Sequence, residues 1–292
     1  MTIFIEKLLL PEDDGLHILK AKSHTLYKLK AIAVYMQAFN TALKNGNWFD
    51  RYYIDLQAGP GKNRIGQQVY LGSPLLALTT DTPFTQYRFN EQDPSSHTAL
   101  QLRVAASPHN KVTRTYRSDA NAIVKTICEE ISKQDALAKL RKKWSTVNLA
   151  FLDPFGLELE WSTVEQLARM TRMDLVINFS TGGLNRNIAK ALNARQENVV
   201  DRFFGTEAWR DVYDPSVDAT AKRRAWIDFY LQRLERFGYQ IDINPDLGGT
   251  ELSVKSAKNV QIYSLIFASK HPLGNTLWKA AAKGSTPRLP GL

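Results

Sequence analysis

Residues 146–152 read Thr-Val-Asn-Leu-Ala-Phe-Leu and stop at Asp153-Pro154-Phe155-Gly156. A short, nearly unbroken apolar run with no polar alternation is the pattern of a strand buried on both faces. Such strands occupy the middle of parallel sheets, so this run commits the chain to a layered α/β arrangement. Strand-like runs are also expected at 51–56, 86–90, 111–116 and 173–179, each separated from the next by helical spacing. Strands alternating with helices require parallel pairing, right-handed crossovers and helices on both faces of the sheet.

The flanking segments complete this picture. Apolar residues at Leu26, Leu29, Ile32, Ala33, Met36, Phe39 and Leu43 predict a helix over 24–43, with Ser23 as its cap. A polar loop is expected from Lys62 to Gly72, about 12 residues where 2–6 is usual, and loops of that kind tend to cover a ligand. Ser73 as N-cap and Pro74 at the first helical position should open the next helix. Ser162 is expected to cap a helix at 163–170, and further helices are expected at 186–200, 220–237 and 273–283. Residues 202–215 should be irregular. Strands at 239–243 and 260–268, joined by a loop over 244–258, should add an antiparallel edge. The expected organisation is an N-terminal helical extension (1–48), one α/β domain (49–283) and a flexible tail (284–292), with an irregular lead-in over residues 1–22.

Four strand ends carry acids or amides: Asp55, Glu91 with Asp93, Asp119 with Asn121, and Asp153. The C-terminal ends of parallel strands share one rim, so these groups should converge there. Each acid alone is more simply a helix N-cap. Beside the first lies Ala58-Gly59-Pro60-Gly61, a turn whose glycines let backbone amides approach a ligand. The dinucleotide fingerprint fails because Arg64 stands where its third glycine belongs, and the phosphate loop fails at Leu56 and Asn63. An acid, a glycine turn and Glu91 on the next strand suit S-adenosylmethionine instead. Glu91 would accept the ribose hydroxyls, Asp119 the adenine amino group, and the glycine turn would face the methionine moiety.

Asp153-Pro154-Phe155-Gly156 suits methyl transfer to an exocyclic amine. The Asp153 carboxylate and the Pro154 carbonyl would accept the two amine hydrogens while the Phe155 ring stacks on the base. The plainer alternative is a chain turn with Phe155 in the core. His24 and Lys28, one helical turn apart, are candidate substrate contacts, and Arg186 is a candidate phosphate contact; a helix-surface pair and a generic surface arginine are the alternatives. Trp209, Trp226 and His271 fit structural positions better. His17, His97 and His109 have no metal-ligand spacing.

The formal charge of +9 and isoelectric point near 9.5 suit equally a polyanionic partner such as RNA or DNA and plain solubility. A single cysteine, Cys128, excludes an internal disulfide. No apolar run reaches the roughly 18 residues of a membrane span, and residues 1–10 lack the features of a signal peptide, so a cytoplasmic location is expected.

These residues occur in blocks whose order resembles the three-Cys-motif partner (TcmP) family of the class I methyltransferase-like superfamily. The blocks are His24-x-x-x-Lys28, Tyr53-Ile54-Asp55-x-x-Ala58-Gly59-Pro60-Gly61, Gly72-Ser73-Pro74, Phe89-Asn90-Glu91-x-Asp93, Phe151 to Gly156, and Ser269-Lys270-His271-Pro272-Leu273-Gly274. Gln57 departs from the family pattern, which has Phe there. The resemblance implies a Rossmann-like methyltransferase fold and partnership with a radical-type three-cysteine protein, without an established reaction. Asp153 to Gly156 is also similar, more distantly, to the catalytic block of tRNA guanine-N2 dimethyltransferases. The expectation is an S-adenosylmethionine-dependent N-methyltransferase acting on a nucleic-acid base. The alternative is a non-catalytic subunit that binds nucleic acid or a protein partner.

Overall fold

The computed structural model describes residues 12–241, 251–255 and 261–285. The first part holds β1 (Leu19–Lys20), α1 (Thr25–Leu43), β2 (Arg51–Asp55), β3 (Lys62–Ile65), β4 (Gln68–Leu71) and α2 (Ser73–Leu78). Next come β5 (Gln86–Asn90), α3 (Pro94–Ala105), β6 (Thr113–Tyr116), α4 (Ala120–Leu140), β7 (Val147–Leu152) and α5 (Trp161–Ala168). The last part holds β8 (Met173–Phe179), α6 (Thr181–Leu192), α7 (Val199–Phe204), α8 (Ala219–Glu235), β9 (Glu251–Lys255), β10 (Gln261–Ala268) and α9 (Pro272–Ser285).

Seven strands form the main sheet in the order β6-β5-β2-β7-β8-β10-β9. The first five run parallel, and β10 pairs antiparallel with both β8 and β9. The order reverses between β2 and β7, where a crevice opens at the carboxyl ends of the strands. Alternating side chains divide the core in two. Tyr53, Leu149, Phe151, Val176 and Phe267 pack under α1, α2, α3 and α9. Tyr52, Ile54, Ala150, Leu152 and Ile177 pack under α4 to α8. This is a Rossmann-like α/β fold, a mostly parallel sheet between two helical layers with one antiparallel edge.

Several local expectations are corrected. The polar loop after Gly61 is a β-hairpin, β3 with β4, and β1 joins it in parallel to make a separate three-stranded sheet. β3 buries the polar Lys62 and Asn63, so the hairpin leaves no apolar alternation to read. At α2 the cap position falls on Gly72 rather than Ser73. His24, not Ser23, stands at the cap of α1, with no side-chain bond, and Glu160 rather than Ser162 precedes α5. The single helix expected over 186–200 is two, α6 and α7; α7 is opened by Asn198, whose side chain and that of Asp201 form a reciprocal capping box. α7 therefore occupies part of the span expected to be irregular.

The edge hairpin also differs. β9 lies inside the stretch expected to be a loop, while the segment expected as a strand contributes a single bridge, Gln240 to Ser269. Gly and Pro upstream of Glu251 drew the loop boundary too far along the chain. Asp242 and Ile243 of that expected strand, residues 1–11 of the lead-in and the tail from 286 lie outside the described residues. Trp209 and Trp226 are both buried.

Candidate functional site

β2 carries the chain to the rim at Asp55, and the backbone then reverses through Gly59 and Gly61, at φ +62° and +88°. That left-handed region strains any residue with a Cβ. At Gly61 a Cβ would also sit 3.0 Å from the Leu75 side chain, whereas at Gly59 it would meet nothing within 4 Å. Gly59 thus presents bare backbone to open space. That space is a cavity of about 510 Å³ bounded by Ala58–Gly61, Asp153, Pro154 and Phe155, with His24, Lys28 and Arg186 also on its walls.

Asp153 is held from two sides. The Lys28 ammonium pairs with Oδ2, and Asn178 Nδ2 donates to Oδ1 at 2.8 Å. Lys28 also lies over the Tyr263 ring, 5.7 Å from its centroid, and the Tyr263 hydroxyl donates to the His24 carbonyl at 2.9 Å. Burial, reinforced by Lys28 and Lys22, keeps the His24 imidazole below its ordinary pKa. Pro154 is buried but Phe155 is 74% exposed, so its ring stands at the cavity mouth and the core-packing alternative falls.

Asp55 lies beneath the turn, fully buried. Burial, with repulsion from Asp153, raises its pKa to about 7, against opposing contributions from Ser73, the Gln57 amide and Tyr53. Its Oδ1 makes no hydrogen bond of good geometry; neither do Gln57 Oε1 and Asn178 Oδ1. Buried acceptors without partners are uncommon and call for a donor. Ser73, displaced from the cap position, instead bears on Asp55, which is why a serine stands at the start of α2.

The remaining strand-end acids do other work. Glu91 folds back so that Oε2 accepts from Gly59 N and Oε1 from Asp93 N, both at 2.8 Å. Each oxygen retains a free lone pair. Asp93 caps α3 through the Ser96 amide. Asp119 caps α4, accepting from the amides of Asn121 and Ala122. Asn121 spends its side chain on Glu158 O, Glu160 N and the Thr163 hydroxyl. Asp119, Asn121 and Glu91 stand along the rim without lining the cavity.

The roof of the cavity comes from the N-terminal strap. Asp14 pairs with Lys62 at 2.9 Å and Arg103 at 2.6 Å, and Arg103 chiefly holds its carboxyl well below the usual range. Arg103 Nη1 also donates to the carbonyls of Pro60 and His17 at 2.5 and 2.9 Å, tying strap, turn and α3 together. Pairing of β1 with β3 then sets Lys20 and Lys22 at the mouth. The sequence reading missed these two lysines, Asn178 and Tyr263. Asn178 had a signal: it is the one polar residue in the otherwise apolar run 175–179.

The site has room and partners for S-adenosylmethionine. The bare backbone at Gly59 is a cradle a side chain would fill, and Gln57 and Asn178 present unpaired acceptors beside it. Among the described residues no group of three His, Cys, Asp or Glu side chains is arranged to hold a metal, and no helix is long and apolar enough to cross a membrane.

No family model matches this chain, and no curated protein matches it. Among solved structures, distant similarities are found. A Legionella pneumophila protein of the family-model DUF519 is 11% identical with a TM-score of 0.48, covering 90% of this chain and 92% of its own. The O-methyltransferase TomG from Streptomyces achromogenes, solved in complex with SAM, is also 11% identical, with a TM-score of 0.42 over 92% of this chain and 95% of its own. Likeness at this level says nothing about what this chain binds.

Proposed function

We propose that this protein is an S-adenosylmethionine-dependent methyltransferase of the cytosol whose acceptor is an exocyclic amine, most simply that of a nucleic-acid base. The observation that carries the reading is one cavity bounded both by the glycine turn and by Asp153-Pro154-Phe155. S-adenosylmethionine supplies an electrophilic methyl group. Ala58 to Gly61 would face it, with Asp55 beneath the turn. Glu91, through its spare lone pairs, would take hydroxyl donors, and Asp119 and Asn121 would bound the far side of the rim. Asp153 would accept a hydrogen bond from the amine and take its proton, with the Pro154 carbonyl as second acceptor and Phe155 stacked on the ring.

For that to happen Lys28 must release Asp153. Lys28, His24 and Arg186, with Lys20 and Lys22, form a basic mouth suited to phosphates. Calorimetric titration with S-adenosylmethionine tests the first step, and absence of heat at every salt concentration removes the reading. Asp153→Ala should abolish methyl transfer to RNA or DNA and leave cofactor affinity nearly unchanged.

A second reading is favoured by one specific observation: Asp153 is already satisfied by Lys28 and Asn178. We infer from it a non-catalytic subunit of the TcmP kind, docking nucleic acid or a radical-type three-cysteine protein. Salt-sensitive binding of RNA without uptake of S-adenosylmethionine would select it.

A further inference from the structure

The opposite edge of the sheet holds a second cavity, which neither reading uses. It measures about 360 Å³, within the range of small-molecule sites, and its walls include Phe39, Leu43, Trp48, Met173 and Leu277. Its position follows from the chain path. α1 starts over the rim and ends at the far edge, β8 begins there, and α9 opens there at Pro272, with Gly274 in its first turn. A Cβ on Gly274 would lie 2.2 Å from Ser269 Oγ and 3.3 Å from Asp174 Oδ2, so glycine is what lets α9 close over this end. The block Ser269 to Gly274, without a place in the methyl-transfer reading, forms one wall of this cavity.

One carboxylate serves the cavity. Asp174, second residue of β8, accepts a 2.6 Å hydrogen bond from the Tyr35 hydroxyl on Oδ2. The Ser269 hydroxyl also bears on the carboxylate, and Oδ1 accepts no hydrogen bond among the described residues, while the side chain stays partly open to the cavity although protein surrounds it. His271 on the cavity wall attracts the carboxylate, while Arg172 and Lys270 are turned to other partners. Arg172 lies over the Trp48 ring and donates to Ser145. Lys270 donates to the carbonyls of Ala168 and Met170 at 2.6 and 2.9 Å. His271 Nδ1 accepts from the Leu273 amide. A half-satisfied carboxylate in an apolar pocket is stabilised by a positively charged donor carried on an apolar body.

We propose that this cavity binds a small organic monocation, an aryl- or alkyl-ammonium ion, with its ammonium on Asp174 and its apolar body against Trp48 and Leu277. Burial raises the Asp174 pKa to about 6, leaving the carboxylate ionised at neutral pH and ready for such a partner.

The test is titration of the full-length protein with 2-phenylethylammonium chloride, followed by saturation-transfer NMR and tryptophan fluorescence, with 2-phenylethanol as the neutral isostere. The ammonium should saturate, with affinity at least about tenfold above the alcohol. Asp174→Asn should erase that preference, and Leu277→Trp, which fills the cavity from its wall, should remove binding of both. Equal affinity for the two probes, no saturable binding of the ammonium, or an intact preference in Asp174→Asn overturns the assignment. The neutral probe tests charge recognition in the unaltered protein, so the outcome does not depend on either variant folding.

Discussion

β8 presents two polar residues on the same face, Asp174 near its start and Asn178 near its end. Four residues of strand separate them by about 13 Å. Buried Val176 sits between, and each opens onto a different cavity. At the carboxyl rim, charges meet each other: Lys28 holds Asp153, Asn178 braces it, and Glu91 holds the glycine turn. At the far edge a single carboxylate lies among mostly apolar walls, with Ser269 and His271 bearing on it and Arg172 and Lys270 turned to other partners. The same helix, α1, serves both ends, with Lys28 over the rim and Tyr35 on Asp174. The contrast teaches that burial alone does not say what an acid is for; what matters is which donors reach it.

The sharpest way to break this comparison is through the two buried carboxyls themselves. Asp55, raised from 3.8 to about 7, keeps a proton in the folded chain that the unfolded chain releases. Stability is therefore lost as pH rises from about 4 to about 7. Asp55→Asn should recover it, by about 3–4 kcal/mol at pH 8 and almost nothing at pH 4, read from urea denaturation. A gain independent of pH would mean that Asp55 is ionised throughout.

Asp174 should behave alike on a smaller scale, since its pKa is about 6 and the asparagine can still accept from Tyr35. Asp174→Asn is expected to add about 2–3 kcal/mol at pH 8, and its gain should level off about one pH unit earlier than that of Asp55→Asn. Identical pH profiles for the two variants would erase the distinction between the ends.

Lys28→Met should cost about 1–3 kcal/mol, less than a fully buried pair, because both side chains keep some solvent contact. If denaturation midpoints do not move, the pair at the rim is ornamental to the fold. Phe155→Ala has the smallest expected effect on stability, within about 0.5 kcal/mol, because the ring stands at the mouth. Loss of base stacking should nonetheless weaken nucleic-acid binding by about 1–3 kcal/mol, measured by fluorescence anisotropy. A large loss of stability with unchanged binding would return Phe155 to a packing function.

Much of the framework was legible because it rests on local pattern. The apolar run 147–152, the periodic face of α1 and the glycines at 59 and 61 each announce their backbone through residue chemistry alone. The β3–β4 hairpin and β9 were not legible, since β3 buries polar side chains and the edge strand β9 is held by backbone hydrogen bonds that any side chain permits. Asp119 and Asn121 illustrate the same limit within the site. Strand ends foretold their place on the rim, and the cap from Asp119 to Ala122 N is local, but the partners of Asn121, Thr163 and Glu160 N, are set by how α4 and α5 pack.

By itself the sequence determined the parallel α/β layering, the glycine turn and the presence of Asp153-Pro154-Phe155 at a strand end, because periodicity and backbone preference act between near neighbours. Only the tertiary structure decided that Lys28 and Asn178 would meet at Asp153, that Ser73 would bear on Asp55 instead of capping a helix, and that a second cavity would open on Asp174. Those pairings join residues far apart in the chain, and the energy of a charge or hydrogen bond depends on distance and burial, which no single stretch of sequence contains.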